Sequence, residues 1–184
     1  MEKLLQLERL LLRRSVKTGS FTLSSGAKSS YYIDARRTTM TAEGQALIGE
    51  VCYDRIIKAG WIATHVGGLT LGADPIAYAI AHHSYNVTGV TLDGLTVRKE
   101  AKGHGTGRQI EGGAPPGSKV VLLEDIVTTG KSAFLALEAL EKASLVVIGV
   151  LCLVDREEGG RAKLEDHGLP FQAVFTKSHL LQQK

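Results

Sequence analysis

The sequence predicts an α/β protein built on a central, mostly parallel sheet that is flanked by helices. From Thr41 onward, strand-like apolar segments alternate with helix-like segments, and this order requires parallel strands joined by right-handed crossovers. The clearest strand is Val120–Leu123, an unbroken apolar run typical of a strand buried on both faces of a sheet. The 184 residues are enough for a single domain with a complete core.

Local signals mark the ends of the other elements. Leucines at helical spacing begin the chain, and Thr41 is a suitable N-cap, with Glu43 in the first turn, for a helix that Gly60 ends. Pro75 suits the first turn of another helix, and Asp93-Gly94 predicts a hairpin turn. The predicted helices are residues 4–14, 42–59, 73–82, 133–140 and 161–167; the predicted strands are residues 19–23, 30–34, 61–66, 87–92, 95–98, 120–123, 145–154 and 171–175; a glycine-rich loop is expected at 67–72, a long loop at 100–117 and a terminal turn at 178–181.

Composition and charge narrow the class of protein. A hydrophobic content of 43% and a charged content of 22% are ordinary for a globular protein. The formal net charge is only +3 and no Lys/Arg-rich arm is present, so we expect no nucleic-acid partner. No signal peptide or membrane-spanning run is evident, so we expect a cytoplasmic protein without a membrane partner. Cys52 and Cys152 lie far apart in apolar segments, which predicts buried, reduced thiols.

The segment after the Val120–Leu123 strand carries the strongest functional signal. Glu124 and Asp125 come where the strand is expected to end, and a small-residue turn then leads into a helix. Such a turn presents N–H groups and a helix dipole to an anion, which indicates a phosphate site. Two adjacent carboxylates repel each other and usually have a cationic or hydroxyl-rich partner. The alternative is an ordinary connection with two solvated acids. A Walker A motif is excluded because Asp125 stands where that motif needs glycine.

Two further segments suit a polyanion. The glycine-rich connection of residues 67–72 lets backbone approach a bulky anion, although such turns are common in α/β proteins. Residues 98–107 combine cationic side chains with three glycines and could fold over a ligand, exclude water and stabilise departing negative charge. A solvated charged loop is the alternative there. The cationic or titratable residues of this run are Arg98, Lys99, Lys102 and His104.

Taken in order, these segments resemble the type I phosphoribosyltransferase family. The resemblance implies that family's fold as one domain (residues 1–184), with a small N-terminal hood at 1–40, a core at 41–184 and a flexible catalytic loop at 98–110. It implies that Glu124 and Asp125 hold the ribose hydroxyls of phosphoribosyl diphosphate (PRPP). The 5-phosphate would be bound by Thr128, Thr129, Gly130, Lys131 and Ser132, and the diphosphate by Leu69, Thr70, Leu71 and Gly72.

Three segments are similar to the orotate-specific members of that family. They are Arg-Lys-Glu-x-Lys-x-His-Gly from Arg98, the segment Phe21–Asp34, and Val154-Asp155-Arg156. The resemblance implies a catalytic loop in which Arg98, Lys99, Lys102 and His104 contact diphosphate, with Lys102 the foremost catalytic candidate and Asp125 a further one. Orotate would be bound by Lys28, Tyr31, Tyr32, Thr128 and Arg156, with the Arg156 guanidinium facing its carboxylate.

The activity implied is transfer of the 5-phosphoribosyl group of PRPP to orotate, giving orotidine 5-phosphate and diphosphate in the synthesis of UMP. The resemblance also implies Mg²⁺, held mainly by PRPP and water near Glu124 and Asp125, and a homodimer whose subunits share loop 98–110. Two alternatives stay open at this point: a phosphoribosyltransferase for another base, and a PRPP-binding regulator that binds RNA or a repressor partner.

Overall fold

The computed structural model of the chain describes residues 2–22, 28–87, 89–100 and 109–184. Within these ranges, helices cover both faces of a six-stranded sheet, and a separate two-stranded sheet lies near the N-terminus. The elements in chain order are α1 (Glu2–Arg14), β1 (Val16–Thr22), β2 (Lys28–Ile33), α2 (Arg36–Thr39), α3 (Ala42–Lys58), β3 (His65–Leu69), α4 (Asp74–Asn86), β4 (Asp93–Val97), β5 (Ile110–Glu111), β6 (Lys119–Val127), α5 (Lys131–Lys142), β7 (Val146–Asp155), α6 (Gly160–Asp166), β8 (Phe171–Thr176) and α7 (Lys177–Gln182).

The strands of the main sheet run in the order β5-β4-β3-β6-β7-β8. All neighbouring pairs are parallel except β4 and β5, which are antiparallel. The mostly parallel α/β architecture predicted from the alternating pattern is therefore confirmed. Strand β6 lies in the interior of the sheet, and the carboxyl ends of β3, β4 and β6 meet at one edge, where ligands of open α/β sheets usually bind.

Side chains of β6 alternate between two core layers. Val121 and Leu123 join the layer that contains buried residues of α1, α3 and α4. Val120 and Leu122 join the layer that contains buried residues of α5. Because the period of a strand is two, the same alternation directs Glu124 and Asp125 to opposite faces at the functional edge of the sheet.

Helix α3 begins as its sequence predicts. The Thr41 hydroxyl accepts a hydrogen bond from the Gly44 N–H at 3.0 Å, so Thr41 is the N-cap. The two cysteines are free and buried, as expected, and burial raises the pKa of the Cys52 thiol to about 12. None of the described helices is both long and apolar enough to cross a bilayer.

The predicted strand at 61–66 is shifted toward its carboxyl end. Strand β3 runs through Gly67 and Gly68, which the sequence analysis placed in a loop. An added Cβ would lie 2.1 Å from Leu95 O at Gly67 and 2.1 Å from Leu123 O at Gly68. The glycines thus permit close approach of neighbouring strands, and the connection proper is reduced to residues 70–73.

The predicted hairpin at Asp93-Gly94 is wrong. Asp93 begins β4, which pairs with β3 in parallel. The preceding segment is tied back to α4 because the Leu92 N–H donates to the Ser84 hydroxyl at 3.0 Å. Strand β6 also continues beyond its predicted end to Val127, so the two acidic residues lie within the strand. Helix α2 and strand β5 were not predicted.

Candidate active site

A pocket of about 290 Å³ lies at the carboxyl edge of the sheet. It draws residues from the end of β2, the connection after β3, the segment after β4, the end of β6 and the start of α5. Its lining residues are Tyr32, Ile33, Asp34, Arg36, Leu69, Thr70, Leu71, Gly72, Lys99, Glu124, Asp125, Ile126 and Ser132. Segments far apart in sequence therefore meet at one place.

A larger groove of about 610 Å³ lies elsewhere, between α1 and α3. Its walls carry mixed charges from residues such as Lys3, Glu50, Asp54 and Lys58. This pattern is typical of two solvated helix surfaces, whereas the smaller pocket has a buried and a half-buried carboxyl group at its floor. The pocket at the sheet edge is therefore the candidate active site.

Glu124 and Asp125 form the floor of that pocket. Glu124 is only 5% exposed, and its Oε1 has no hydrogen-bond partner among the described residues. Burial, with a smaller contribution from the Asp125 charge, raises the pKa of Glu124 to about 8. Burial also raises the pKa of Asp125, although the Ile126 N–H, at 2.9 Å, and the Arg36 charge oppose this effect. The floor therefore offers underused oxygen atoms to a ligand with hydroxyl groups.

Arg36 is the cationic neighbour that the adjacent acids were expected to need. Its Nε donates to Asp34 Oδ1 at 2.9 Å, and this hydrogen bond raises the pKa of Arg36 further. Neither Asp34 nor Arg36 was predicted as a site residue. The signal available was their position directly after β2, the strand that carries Tyr31 and Tyr32.

A second, smaller hollow of about 40 Å³ adjoins the floor at the start of α5. Gly130 is the N-cap of α5, and the φ of Gly130, +81°, is a left-handed conformation that favours glycine. The first N–H groups of α5 thus open toward the hollow without a side-chain cap, which suits a phosphate. The lining residues are Glu124, Ile126, Val127, Thr128, Gly130, Lys131, Ser132 and Ala133, whereas Thr129 lines a shallower groove beside Phe134.

The connection after β3 is joined to β4 by Asp74. Thr70 Oγ1 donates to Asp74 Oδ2 at 2.6 Å, and Thr96 Oγ1 of β4 donates to Asp74 Oδ1 at 2.8 Å. A Cβ on Gly72 would lie 2.5 Å from Asp125 Oδ1, so only glycine allows this approach. The peptide bond between Thr70 and Leu71 is cis. Asp74, which the sequence analysis did not select, links the connection to β4.

The cationic segment begins at the rim of the pocket. Arg98 forms an ion pair with Glu111 at 2.9 Å, and its N–H donates to Gln109 O at 2.8 Å, so both ends of the segment are joined by β4 and β5. Lys99 lines the pocket. Lys102 and His104 lie outside the described residues.

A second cluster of polar side chains surrounds Arg156, just beyond the end of β7. The Arg156 N–H donates to Val127 O at 2.9 Å, which places the residue beside the end of β6. Its Nη2 lies 2.8 Å from Glu158 Oε1 and 3.2 Å from the Tyr31 hydroxyl, and its guanidinium lies over the Tyr31 ring, 5.4 Å from the centroid. The Lys177 ammonium lies 6.0 Å from the same centroid. The cluster is thus rich in cations and stands next to the phosphate hollow.

Comparisons with known proteins agree with this geometry. Residues 41–169 match the phosphoribosyl transferase domain family. The chain is similar to the orotate phosphoribosyltransferase of Aquifex aeolicus (strain VF5), with 48% identity over 179 residues that cover 96% of each protein. The chain belongs to the orotate phosphoribosyltransferase family.

Solved structures of this family share the fold. The Mycobacterium tuberculosis H37Rv orotate phosphoribosyltransferase in complex with Fe(III) dicitrate has a TM-score of 0.85 and 41% identity, covering 97% of this chain and 98% of that one. The same M. tuberculosis enzyme in complex with PRPP has a TM-score of 0.81 and 37% identity, with coverage of 97% and 98%. The type I phosphoribosyltransferase fold predicted from the motifs is confirmed.

Most of the predicted site residues that the structure describes lie in two neighbouring places. The residues predicted to bind PRPP line the pocket and its hollow, except Thr129, which lines the groove beside Phe134. Tyr31 and Tyr32 point to opposite faces of β2, so Tyr32 lines the pocket while Tyr31 contacts Arg156. Lys28 is exposed at the first position of β2, opposite Thr22.

Proposed function

We propose that this pocket binds PRPP and transfers its 5-phosphoribosyl group to orotate, giving orotidine 5-phosphate and diphosphate for UMP synthesis. The observation that carries the proposal is the adjacent pair of acids, the buried Glu124 and the half-buried Asp125, placed between an uncapped helix N-terminus and the Thr70–Gly72 connection. A sugar with a phosphate on one side and a diphosphate on the other fits that arrangement.

The acids are assigned to the ribose. With a pKa of about 8, Glu124 is mostly protonated at neutral pH in the ligand-free protein, so its carboxyl can both donate to and accept from a ribose hydroxyl. Asp125 faces the connection that would hold the diphosphate. Displacement at the anomeric carbon develops positive charge on the sugar, and the Asp125 carboxylate would stabilise that charge.

The phosphate groups are assigned to backbone and cationic side chains. The hollow at α5, lined by Thr128, Gly130, Lys131 and Ser132, suits the 5-phosphate, with Thr129 completing the turn. Leu69, Thr70, Leu71 and Gly72 border the pocket on the side proposed for the diphosphate. Lys102 is proposed to stabilise the leaving diphosphate, with Arg98, Lys99 and His104 beside it in loop 98–110.

Orotate is assigned to the space between the pocket and the Arg156 cluster. The guanidinium fork suits a planar carboxylate, and Tyr32 supplies an aromatic surface that is 41% exposed. Thr128 adjoins both places, and Lys28 and Tyr31 of β2 complete the proposed orotate set. A neutral base would have no use for these cations, which favours orotate over other bases.

The described residues also fit Mg²⁺ in the limited role proposed. No group of three His, Cys, Asp or Glu side chains in the described ranges is placed to hold a metal by itself. Two carboxyl groups at the pocket floor supply the hard oxygen atoms that Mg²⁺ prefers, with Glu124 Oε1 left free. Bound mainly through PRPP and water near Glu124 and Asp125, the ion would neutralise diphosphate charge.

A homodimer in the cytoplasm is part of the proposal, with the 98–110 loop shared between subunits and no nucleic-acid or membrane partner. Three large, exposed hydrophobic residues support an association surface: Leu71 at the pocket, and Tyr78 and Tyr85 on α4. Tyr78 and Tyr85 are seven residues apart in α4 and so share a face. Sedimentation equilibrium tests the dimer.

The function is tested by following the loss of orotate absorbance after PRPP and Mg²⁺ are added, with diphosphate release measured for hypoxanthine, adenine and uracil in parallel. We expect turnover with orotate alone. Turnover with another base only would retain the PRPP site and refute the role given to Arg156. No turnover with any base, combined with binding of RNA on a filter, would support the PRPP-binding regulator.

A further inference from the structure

The partners of Arg156 are unevenly distributed over its guanidinium group. Nη2 is engaged twice, by Glu158 Oε1 at 2.8 Å and by the Tyr31 hydroxyl at 3.2 Å. Nε, the other N–H of the same fork, is buried and has no hydrogen-bond partner among the described residues. Glu158 therefore fills only half of a fork that a planar carboxylate could fill completely.

Glu158 is much more exposed than the group it binds. Its side chain is 37% exposed, compared with 17% for Arg156. If the Glu158 carboxylate left, it would regain water at little cost, whereas Arg156 would need a replacement partner. The pair is therefore suited to exchange one carboxylate for another.

The backbone around Glu158 is fixed by its neighbours. The Glu157 N–H donates to Asp155 Oδ1 at 2.8 Å, and the Glu157 carboxylate accepts from the Ser178 N–H at 2.8 Å. The Gly160 N–H donates to Thr128 O at 2.8 Å. Because the turn is held on both sides of Glu158, exchange needs only a rotation of the Glu158 side chain and no movement of the turn.

We propose that Glu158 is a specificity-determining residue whose carboxylate occupies Arg156 in the ligand-free site and is displaced by the carboxylate of the incoming base. The inference rests on the proposed orotate activity and adds a competition within the chain to it. Tyr31 takes part because its hydroxyl lies between the two groups, accepting from Arg156 and donating to Glu158 Oε1 at 3.3 Å. Occupation by Glu158 keeps Arg156 paired when no substrate is bound and raises the orotate concentration needed to fill the site.

The test compares Glu158→Gln with Glu157→Gln under saturating PRPP and Mg²⁺. Both substitutions remove one negative charge from adjacent positions, but only Glu158 contacts Arg156, while Glu157 binds Ser178. Glutamine competes more weakly for the guanidinium, so we expect Glu158→Gln to lower the KM for orotate about three- to tenfold. The KM for PRPP should be unchanged. The KM for orotate in Glu157→Gln should stay within about twofold of wild type.

If the Glu158 carboxylate competes with orotate, its removal should increase the affinity for orotate. If Glu158 only supports the structure of the site, its removal should weaken orotate binding. Glu158→Ala provides a second variant without any competing side chain and should shift the KM for orotate in the same direction. An unchanged or raised KM for orotate in both Glu158 variants, with a wild-type enzyme that turns over orotate, overturns this inference alone. A wild-type protein with no orotate turnover overturns the proposed function and the inference together.

Discussion

Replacing Glu124 by glutamine tests whether the pocket floor holds a carboxyl group with a raised pKa. A rise in the pKa of Glu124 from 4.5 to about 8 means that the folded protein keeps a proton that the unfolded chain has released between those pH values. The free energy of unfolding therefore falls as the pH rises from 4.5 to about 8, and the Glu124 contribution has been lost in full above that range. The shift corresponds to at most about 5 kcal/mol.

Glutamine has the same shape and cannot ionise, so the variant lacks this loss. We expect the free energy of unfolding of Glu124→Gln to increase relative to that of wild type as the pH is raised from about 5 to about 9. This increase should approach the full free energy of the pKa shift if no water enters the site. The free energies of unfolding are measured by urea denaturation at both pH values without ligand.

Glu141→Gln supplies the matched control, since Glu141 is an exposed glutamate on α5. Its difference from wild type should not change with pH over the same range. If Glu124→Gln and wild type lose stability in parallel between the two pH values, burial does not raise the pKa of Glu124 and the reasoning about the pocket floor is wrong.

Three further substitutions probe the diphosphate side. Gly72→Ala places a Cβ 2.5 Å from Asp125 Oδ1, and we expect the KM for PRPP to rise about tenfold, as measured by initial rates. Asp74→Ala removes the acceptor that holds Thr70 at 2.6 Å, and we expect a similar rise in the KM for PRPP with little change in the KM for orotate. Lys102→Ala should reduce kcat/KM by an amount equivalent to about 2–4 kcal/mol, the usual cost of one lost electrostatic donor.

Each of these outcomes can fail separately. An unchanged KM for PRPP in Gly72→Ala would mean that Asp125 turns aside freely. Retained PRPP affinity in Asp74→Ala would mean that the connection keeps its shape without that carboxylate, with Thr41→Ala as a control for a general loss of stability. Near wild-type turnover in Lys102→Ala would remove this residue from the mechanism.

Much of the fold followed from patterns that are local in sequence. The apolar run at Val120–Leu123, the N-cap at Thr41 and the alternation of elements all depend on neighbouring residues, and each was confirmed. The errors arose where contacts between distant segments decide the structure. Gly67 and Gly68 look like loop residues until the close approach of two flanking strands explains them.

The candidate site shows the same division. The two acids, Glu124 and Asp125, and the turn before α5 could be selected from the sequence, because they lie within one continuous segment. Asp74 and Glu158 could not be selected from local pattern, since their importance lies in partners on other elements: Thr96 and Arg156. Arg36 follows β2 directly, but only the structure shows that it lines the pocket with Asp125. The opposite directions of Tyr31 and Tyr32 followed only once β2 was known to include both residues.

The pairing of β4 with β5 limits where the proposed catalytic loop can act. Arg98 and Gln109 are joined by a hydrogen bond of 2.8 Å, so the segment between them starts and ends at one point. A chain extends at most about 3.6 Å per residue, so four residues of chain that begin at Arg98 can span at most about 15 Å. In a homodimer that shares this loop, the distance from Arg98 to the partner's pocket cannot exceed that span plus the length of a lysine side chain. In any subunit arrangement with a larger distance, each Lys102 could act only in the pocket of its own protomer.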